Sequence, residues 1–355
     1  MKNHSVSIRS LLGPVLALLM LAFVFNACNN DDGPEAVPVD KTRLKARLDS
    51  ANATYTAAQE GVTVGSYEAG SKATFKTAID AATTVYNNAN ATQTEVNNAW
   101  VNLGQAVTTF QSKQVQEIAP QNLVLYLKMD GNANDASGRG FNGTLRTGNT
   151  KWGGGTVTPT KDRYGRDAQA YFFDKGAHIE IPYNPVLNPA KELTISLWAR
   201  PTQVRPSNYM VSLGRWYGYK LQLQEANKAF MTVRTGPERF IDKDNESPTL
   251  DLNKWYHIAV SYKSGEMVFY INGTPVKTWT DVTGDLFPVR STTNLAIGQD
   301  LPNGAYTLTD AKDADGIQNF VDWGGFFTGD MDEVRIYNVV LSGTQVRSIY
   351  NAEKP

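Results

Sequence analysis

Aromatic and arginine side chains occur close together at several places in the second half of the sequence. Trp198 lies two residues before Arg200, and residues 215–217 read Arg-Trp-Tyr. Flat sugar rings stack on aromatic faces, and sugar hydroxyl groups accept hydrogen bonds from guanidinium groups. A single aromatic side chain is more often half-buried beneath a loop, so only the combination favours a saccharide site. The candidate ligand-binding residues are Trp198, Arg200, Arg215, Trp216, Tyr217 and Arg234.

Carboxylate pairs are the second feature with possible chemistry, because glycoside hydrolysis needs two carboxyl groups on one cleft. Side chains two residues apart on a strand share a face. The nearest pattern is residues 330–333, Asp-Met-Asp-Glu, where no second glutamate follows on the same face. The histidines offer no nucleophile relay. We therefore predict no catalytic residues, and a glycan-cleaving enzyme stays the alternative.

The counts of charged residues, cysteine and histidine argue against nucleic-acid binding and against a zinc site. The 34 basic and 35 acidic residues nearly cancel and no long basic run occurs, which makes nucleic acid an unsuitable partner. A single cysteine, Cys28, cannot form an intramolecular disulfide, and three histidines leave little for a zinc site. A chain of 355 residues is long enough for two folded units and a tail.

The N-terminus predicts export. Lys2 and Arg9 precede an apolar run, residues 11–25, which is too short for a spanning helix and suits a secretory signal. The run ends in Phe-Asn-Ala-Cys, which resembles a bacterial lipobox, so we expect a signal peptide over residues 1–27 and lipidation of Cys28. An ordinary signal peptide with an incidental cysteine is the alternative.

Residues 28–40 are polar and acidic and contain two prolines, a composition typical of a tether. An acidic stretch after a lipidated cysteine resembles the signal that sends some Gram-negative lipoproteins to the outer face of the outer membrane. We therefore expect an exported, lipid-anchored protein of the outer membrane or cell surface, with membrane lipid as one partner.

Residues 41–118 are predicted to form a three-helix bundle, because apolar residues recur at intervals of three and four in three stripes. The stripes cover residues 44–58, 75–86 and 96–110, and residues 92–95, Thr-Gln-Thr-Glu, have the spacing of a capping box. Through Phe75–Ala82 and Thr92–Phe110 the segment resembles the FIVAR helical modules of bacterial surface proteins. Such modules mostly act as spacers.

The helical pattern ends at Ala119-Pro120, and short strands follow. Eleven strands without intervening helices predict an antiparallel β-sandwich over residues 121–355, closed by a short helix with Ser342 as its cap. In the strand 193–200, alternation places Trp198 and Arg200 on the face opposite the core. The predicted strands are 123–130, 168–174, 178–181, 193–200, 209–213, 219–224, 229–233, 255–262, 267–272, 294–298 and 332–337.

Two distant stretches connect this part to a known family. Residues 123–131 read LVLYLKMDG, residues 135–143 read DASGRGFNG, and residues 329–338 read GDMDEVRIYN. They resemble the first strand, following loop and last strand of laminin-G-like, concanavalin A-like domains, with Met129 at a usual phenylalanine position. The resemblance implies a two-sheet jelly-roll β-sandwich in which these first and last strands pair.

The same resemblance implies a structural calcium ion. Family members often bind it between the first-strand aspartate, the following loop and the last-strand aspartate, which here are Asp130, Asn142 and Asp332. Carboxylate and carbonyl oxygens are suitable ligands for calcium. The alternative is that the aspartates only hold turns through hydrogen bonds to backbone amides.

These observations predict a cell-surface lipoprotein whose helical spacer carries a jelly-roll domain. We expect that domain to capture a poly- or oligosaccharide without cleaving it, for use by other glycan-uptake proteins. A protein–protein adhesion module is a further alternative, because the function rests mainly on the resemblance.

Overall fold

The computed structural model describes residues 38–289, 293–306 and 324–355. The signal peptide, Cys28 and the tether up to residue 37 lie outside these residues, so their roles stay predictions. Within the described ranges, no helix combines the length and the apolar character needed to cross a membrane. The helices and strands described below belong to one compact unit, Lys41–Pro355.

Three helices form the N-terminal part, as the apolar spacing predicts. They are α1 (Thr42–Ala57), α2 (Ser71–Asn87) and α3 (Gln93–Gln111). Their apolar stripes meet in one core, in which Leu44, Phe75, Ile79, Leu103 and Phe110 are almost completely buried. The predicted capping box begins α3, because the Thr92 side chain accepts from the backbone N–H of Glu95 while Glu95 accepts from that of Thr92.

All eleven predicted strands are present, and the structure adds four. The strands are β1 (Leu123–Leu127), β2 (Thr144–Arg146), β3 (Thr158–Thr160), β4 (Ala170–Phe173), β5 (His178–Ile181), β6 (Leu193–Pro201), β7 (Asn208–Leu213), β8 (Tyr219–Gln224), β9 (Lys228–Gly236), β10 (Arg239–Asp244), β11 (Tyr256–Lys263), β12 (Glu266–Ile271), β13 (Thr274–Trp279), β14 (Leu295–Ile297) and β15 (Gly329–Tyr337). The four that the sequence did not indicate, β2, β3, β10 and β13, are sheet edges. Edge strands carry charged residues and proline, so their apolar alternation is weak.

The strands form a two-sheet antiparallel sandwich, which confirms the predicted jelly roll. One sheet has the order β13-β12-β11-β6-β15-β4-β3, with β1 also paired to β15, and is called the eight-stranded sheet. The seven-stranded sheet has the order β10-β9-β8-β7-β14-β5-β2. First and last strands pair as expected, with Leu125 opposite Ile336 and Leu127 opposite Val334. Inward side chains of both sheets form one core.

A C-terminal helix, α4 (Gly343–Glu353), covers part of the outer face of the eight-stranded sheet, with Ser342 as the predicted cap. Val346 is completely buried in a second apolar cluster together with Tyr270 and Tyr337. The same helix contacts the helical bundle, because Arg347 lies 2.8 Å from Glu68 in an ion pair. Independent folding of the two parts divided near Pro120 stays a prediction.

Candidate functional site

The outer face of the seven-stranded sheet carries an ordered set of polar side chains. In β8 the alternation sends Tyr219, Leu221 and Leu223 into the core. Lys220 and Gln222 therefore point to the opposite side of the sheet. The strand keeps this arrangement because a shift of one residue would bury both polar side chains in the core.

Cross-strand pairing aligns these side chains in two rows over β7, β8, β9 and β10. One row consists of Ser212, Lys220, Thr232 and Asp242. The other consists of Tyr209, Gln222, Phe230 and Asp244. These eight residues are called the polar face. Thr232 donates a hydrogen bond to Asp242, so neighbouring strands are linked on this side.

Lys220 lies at the centre of the polar face and is only 2% exposed. Its Nζ donates to Gln222 Oε1 at 3.0 Å and to Tyr209 Oη at 3.4 Å. Nζ also lies 4.6 Å from the ring centroid of Trp216, 5.0 Å from Tyr209 and 5.4 Å from Phe230. Trp216 and Phe230 are only half-buried, so aromatic surface at the rim remains accessible.

Trp216 reaches this position from the short turn Arg215–Tyr217 between β7 and β8. The turn is tight at Gly218, where a Cβ atom would lie 2.2 Å from the carbonyl oxygen of Leu213, so only glycine fits. Tyr217 packs edge-on against Phe240 at 5.6 Å between ring centroids. Of the predicted ligand residues, Trp216 and Tyr217 therefore lie beside the polar face.

Arg215 is not a surface residue, and its predicted role in ligand binding is wrong. Its side chain is 1% exposed and forms an ion pair with Asp300, which is itself completely buried. Tyr306 donates a hydrogen bond to the same carboxylate. Burial acts to lower the pKa of Arg215, but the attraction and hydrogen bond of Asp300, together with the nearby Tyr306 and Tyr209, outweigh it and raise that pKa. Arg215 thus fixes the turn that carries Trp216.

Arg234 is likewise a structural residue. It is 6% exposed, and its guanidinium donates to the carbonyl oxygens of Gly236, Tyr217 and Pro237 at 3.1, 3.3 and 2.8 Å. It also lies 4.6 Å from the ring centroid of Phe287. These contacts hold the guanidinium against loop carbonyls, which corrects its predicted role in ligand binding.

Trp198 lies on the outer face of the other sheet, as its alternation predicts, but α4 covers it. It is 2% exposed, its indole N–H donates to Glu353 at 2.8 Å, and its ring stacks on Tyr350. Its cross-strand neighbour His257 is completely buried and hydrogen-bonded to Ser196. Trp198 is therefore a packing residue, and its predicted ligand contact is wrong.

Arg200 is the predicted residue that lines an open groove, on the opposite side of the sandwich from the polar face. The groove has a volume of about 730 Å³ and is also lined by Lys161, Arg163 and Trp255. The Arg200 guanidinium is held at 2.7 Å from Asp330 and lies 5.9 Å from the Trp255 ring centroid. The six predicted ligand residues consequently divide between two opposite surfaces and cannot form one site.

The three residues expected to bind calcium have other contacts in the structure, and their role in metal binding stays a prediction. Asp332 is 1% exposed and forms an ion pair with Arg163, and burial raises its pKa to about 8 although Arg163 acts to lower it. Asn142 Oδ1 accepts from the backbone N–H of Asp135 at 2.9 Å, while Asp130 is exposed. Within the described ranges, no group of three His, Cys, Asp or Glu residues could hold a metal ion.

Sequence reasoning missed most of the polar face. The alternation in β8 and β9 was available as a signal, because apolar and polar residues alternate strictly through Tyr219–Gln224. The two rows of the polar face could not be predicted from the sequence, because the register between four strands is a property of the folded sheet. Trp255 was placed in the predicted strand 255–262 and not among the ligand residues, because its closeness to Arg200 is a property of the fold. The missed residues are Tyr209, Ser212, Lys220, Gln222, Phe230, Thr232, Asp242, Asp244 and Trp255.

Comparison with known families agrees with this architecture. Residues 173–347 match the model described as the concanavalin A-like lectin/glucanases superfamily. Residues 40–111 match the FIVAR domain model. Adhesion G-protein coupled receptor V1 of Danio rerio is 22% identical over 165 residues, which cover 44% of this chain and 2% of that protein. The chain thus spans only a small fraction of the length of this curated relative.

Two solved structures are similar in fold. One is domain 4 of a GH43 extracellular arabinanase from Geobacillus stearothermophilus in complex with arabinotriose, with a TM-score of 0.48, 21% identity, and coverage of 64% of this chain and 98% of that domain. The other is the binding domain of Paraclostridial Mosquitocidal Protein 1, with a TM-score of 0.47, 18% identity, and coverage of 66% and 52%. At such low identities and TM-scores, neither structure bears on the function of this chain.

Proposed function

Because the chain carries a laminin-G-like, concanavalin A-like domain behind a FIVAR domain, we propose that it is a surface lipoprotein that binds polysaccharide without cleaving it. The matched superfamily is described by lectins and glucanases, so carbohydrate is the ligand class that its members share by name. A fold alone does not determine function, and the proposal therefore depends on the polar face.

The observation that carries the proposal is the alignment of hydrogen-bonding side chains and aromatic rings in the two rows of the polar face. Asp242 is exposed and offers acceptors suited to hydroxyl groups, while Trp216 and Phe230 offer half-buried rings on which a sugar can stack. Gln224 extends the rim, and its Oε1 is buried without a hydrogen-bond partner among the described residues. A saccharide hydroxyl would supply the missing donor.

Cleavage of glycans is the second candidate, since Asp242 and Asp244 are two residues apart on the same face of β10. A general acid needs a raised pKa. Partial burial acts to raise the pKa of Asp244, but hydrogen bonds from Lys228 and the Glu246 backbone outweigh it and lower that pKa. This environment favours binding over cleavage. If the protein releases new reducing ends from bound glycans, that result would instead indicate a glycan-cleaving enzyme.

The Trp216→Ala variant is expected to lower glycan affinity by about 1–3 kcal/mol, by analogy with base stacking on aromatic side chains. Its melting temperature should change little, because the ring is only half-buried.

A glycan array of residues 29–355 identifies the ligand, and calorimetry with the best hit measures the affinity. Trp255→Ala, at the groove on the other sheet, is the matched control. If only Trp255→Ala loses affinity, the groove is the binding site; an array without hits would favour protein–protein adhesion.

The membrane anchor gives a separate expectation. The mature chain should begin at a diacylated Cys28 and fractionate with membranes, because two acyl chains suffice for stable anchoring. Cys28→Ser should move the protein to the soluble fraction, whereas the neighbouring Asn29→Ser should not. Mass spectrometry that places the cleavage site elsewhere, or membrane fractionation that survives Cys28→Ser, would contradict the anchor.

A further inference from the structure

We propose that Lys220 binds a carboxylate of the ligand, so that the polar face recognises polysaccharides containing uronic acids in preference to neutral ones. The inference rests on the proposed function and assigns it a substrate class. It is motivated by a cation that has no ion-pair partner in the part of the chain that the structure describes.

Lys220 differs from the other lysines near the polar face in having only neutral partners. Lys228 lies 2.8 Å from Asp244, and Lys243 lies 2.8 Å from Asp281. The printed contacts of Lys220 Nζ are an amide oxygen and a phenol oxygen, and no described carboxylate lies within ion-pair distance of it. An ammonium group at 2% exposure is costly without a counter-ion. A ligand carboxylate would offset this cost.

The surroundings of Lys220 are arranged to hold an ammonium group and still admit a ligand. The three rings of Tyr209, Trp216 and Phe230 attract the cation through their faces. Two of these rings, Trp216 and Phe230, are half-buried at the rim, so a sugar stacked there would lie beside the residues that enclose Nζ. Stacking and charge recognition would therefore involve one sugar unit.

The charged groups that act on Lys220 set the pH dependence. Burial lowers its pKa to about 8, Asp242 and Asp300 act to raise it, and Arg215 acts to lower it further. The ammonium form therefore predominates below about pH 8 and is lost above it. A bound carboxylate stabilises the charged form, so binding of an acidic glycan should weaken as the pH rises through 8. Binding of a neutral glycan should not change over this range.

Stability of the free protein provides a readout that needs no ligand. The folded-state pKa of Lys220 lies below that of an unfolded lysine, so between about pH 8 and pH 10 the unfolded chain binds more protons at this group. The contribution of Lys220 to the free energy of unfolding should therefore increase with pH in that window. The increase should be absent in Lys220→Met.

The deciding experiment compares polygalacturonate with its methyl-esterified form by calorimetry on residues 29–355. We expect at least tenfold weaker binding of the ester, at least tenfold weaker binding of polygalacturonate to Lys220→Met, and partial recovery in Lys220→Arg. Lys263→Met, which removes a half-exposed lysine from the eight-stranded sheet, should bind as the unmodified chain does.

Equal affinity for the acid and the ester, or unchanged polygalacturonate binding by a folded Lys220→Met, would overturn the inference. If neutral glycans bind and polygalacturonate does not, the inference fails while the proposed function stands. If neither polygalacturonate nor any glycan on the array binds, both fail.

Discussion

Replacing Trp198 by alanine should lower the free energy of unfolding by about 3–5 kcal/mol, the usual cost of truncating a buried tryptophan. The residue is 2% exposed and stacks on Tyr350 with 5.7 Å between ring centroids. Its indole N–H also donates to Glu353, which forms an ion pair with Arg335 beneath α4. Loss of the ring would therefore leave a cavity and remove one of the contacts that hold α4 on the eight-stranded sheet. Urea unfolding followed by circular dichroism measures the change.

Trp255→Ala is the control for this prediction, since Trp255 is half-buried on the same side of the sandwich. It should cost on the order of 1 kcal/mol or less, as is usual for substitutions away from a packed core. A Trp198→Ala protein with unchanged stability and lost glycan binding would restore Trp198 as a ligand contact. Unchanged stability with unchanged binding would show that α4 does not pack as described.

Replacing Arg215 by methionine should also destabilise the protein strongly, by about 3–5 kcal/mol, because removing one partner of a buried ion pair leaves an uncompensated charge. The charge left behind is that of Asp300, whose side chain is completely buried. Thermal and urea unfolding of the variant measure the loss. Glycan binding by the fraction that stays folded should fall as well, because the turn Arg215–Tyr217 positions Trp216.

A double variant separates the ion pair from simple packing. Arg215→Met combined with Asp300→Leu removes both charges, and replacing a whole buried pair by apolar residues is often close to neutral. The double variant should therefore be more stable than Arg215→Met alone. If the losses in free energy of unfolding of the two single variants add up to the loss in the double variant, the ion pair contributes nothing specific. Arg215 then acts through its size alone.

The prediction for residues 193–200 illustrates what alternation can and cannot provide. It correctly assigned Ile195 and Leu197 to the core and Trp198 to the outer face, because the pleat of a strand is local. It did not reveal that α4 covers this outer face, because the hydrogen bond from Trp198 joins it to a residue 155 positions later. The interpretation of Arg215 failed for the same reason, since its partner Asp300 is 85 positions away.

The calcium prediction concerns residues whose surroundings the sequence did not show. The residues implied by the resemblance are present, but Arg163 lies beside Asp332 and provides its positive charge. Arg163 belongs to the connection between β3 and β4, which the predicted strand pattern did not resolve. A side chain from a segment without a predicted strand therefore forms an ion pair with an aspartate expected to bind calcium, and only the folded chain shows this contact.

By itself the sequence determined the three helices, the order of eleven of the fifteen described strands and the outward position of Trp198. The pairing of the first and last strands followed from the family that this part resembles. These features follow from local periodicity, from caps and from short motifs, which are read along the chain. Only the tertiary structure decided which outer-face residues are covered, which charges are paired, and that Lys220 has three aromatic neighbours and no ion-pair partner among the described residues. Those properties depend on strand register and on contacts between distant residues, and a side chain at a given position keeps the same alternation whether it is exposed or covered.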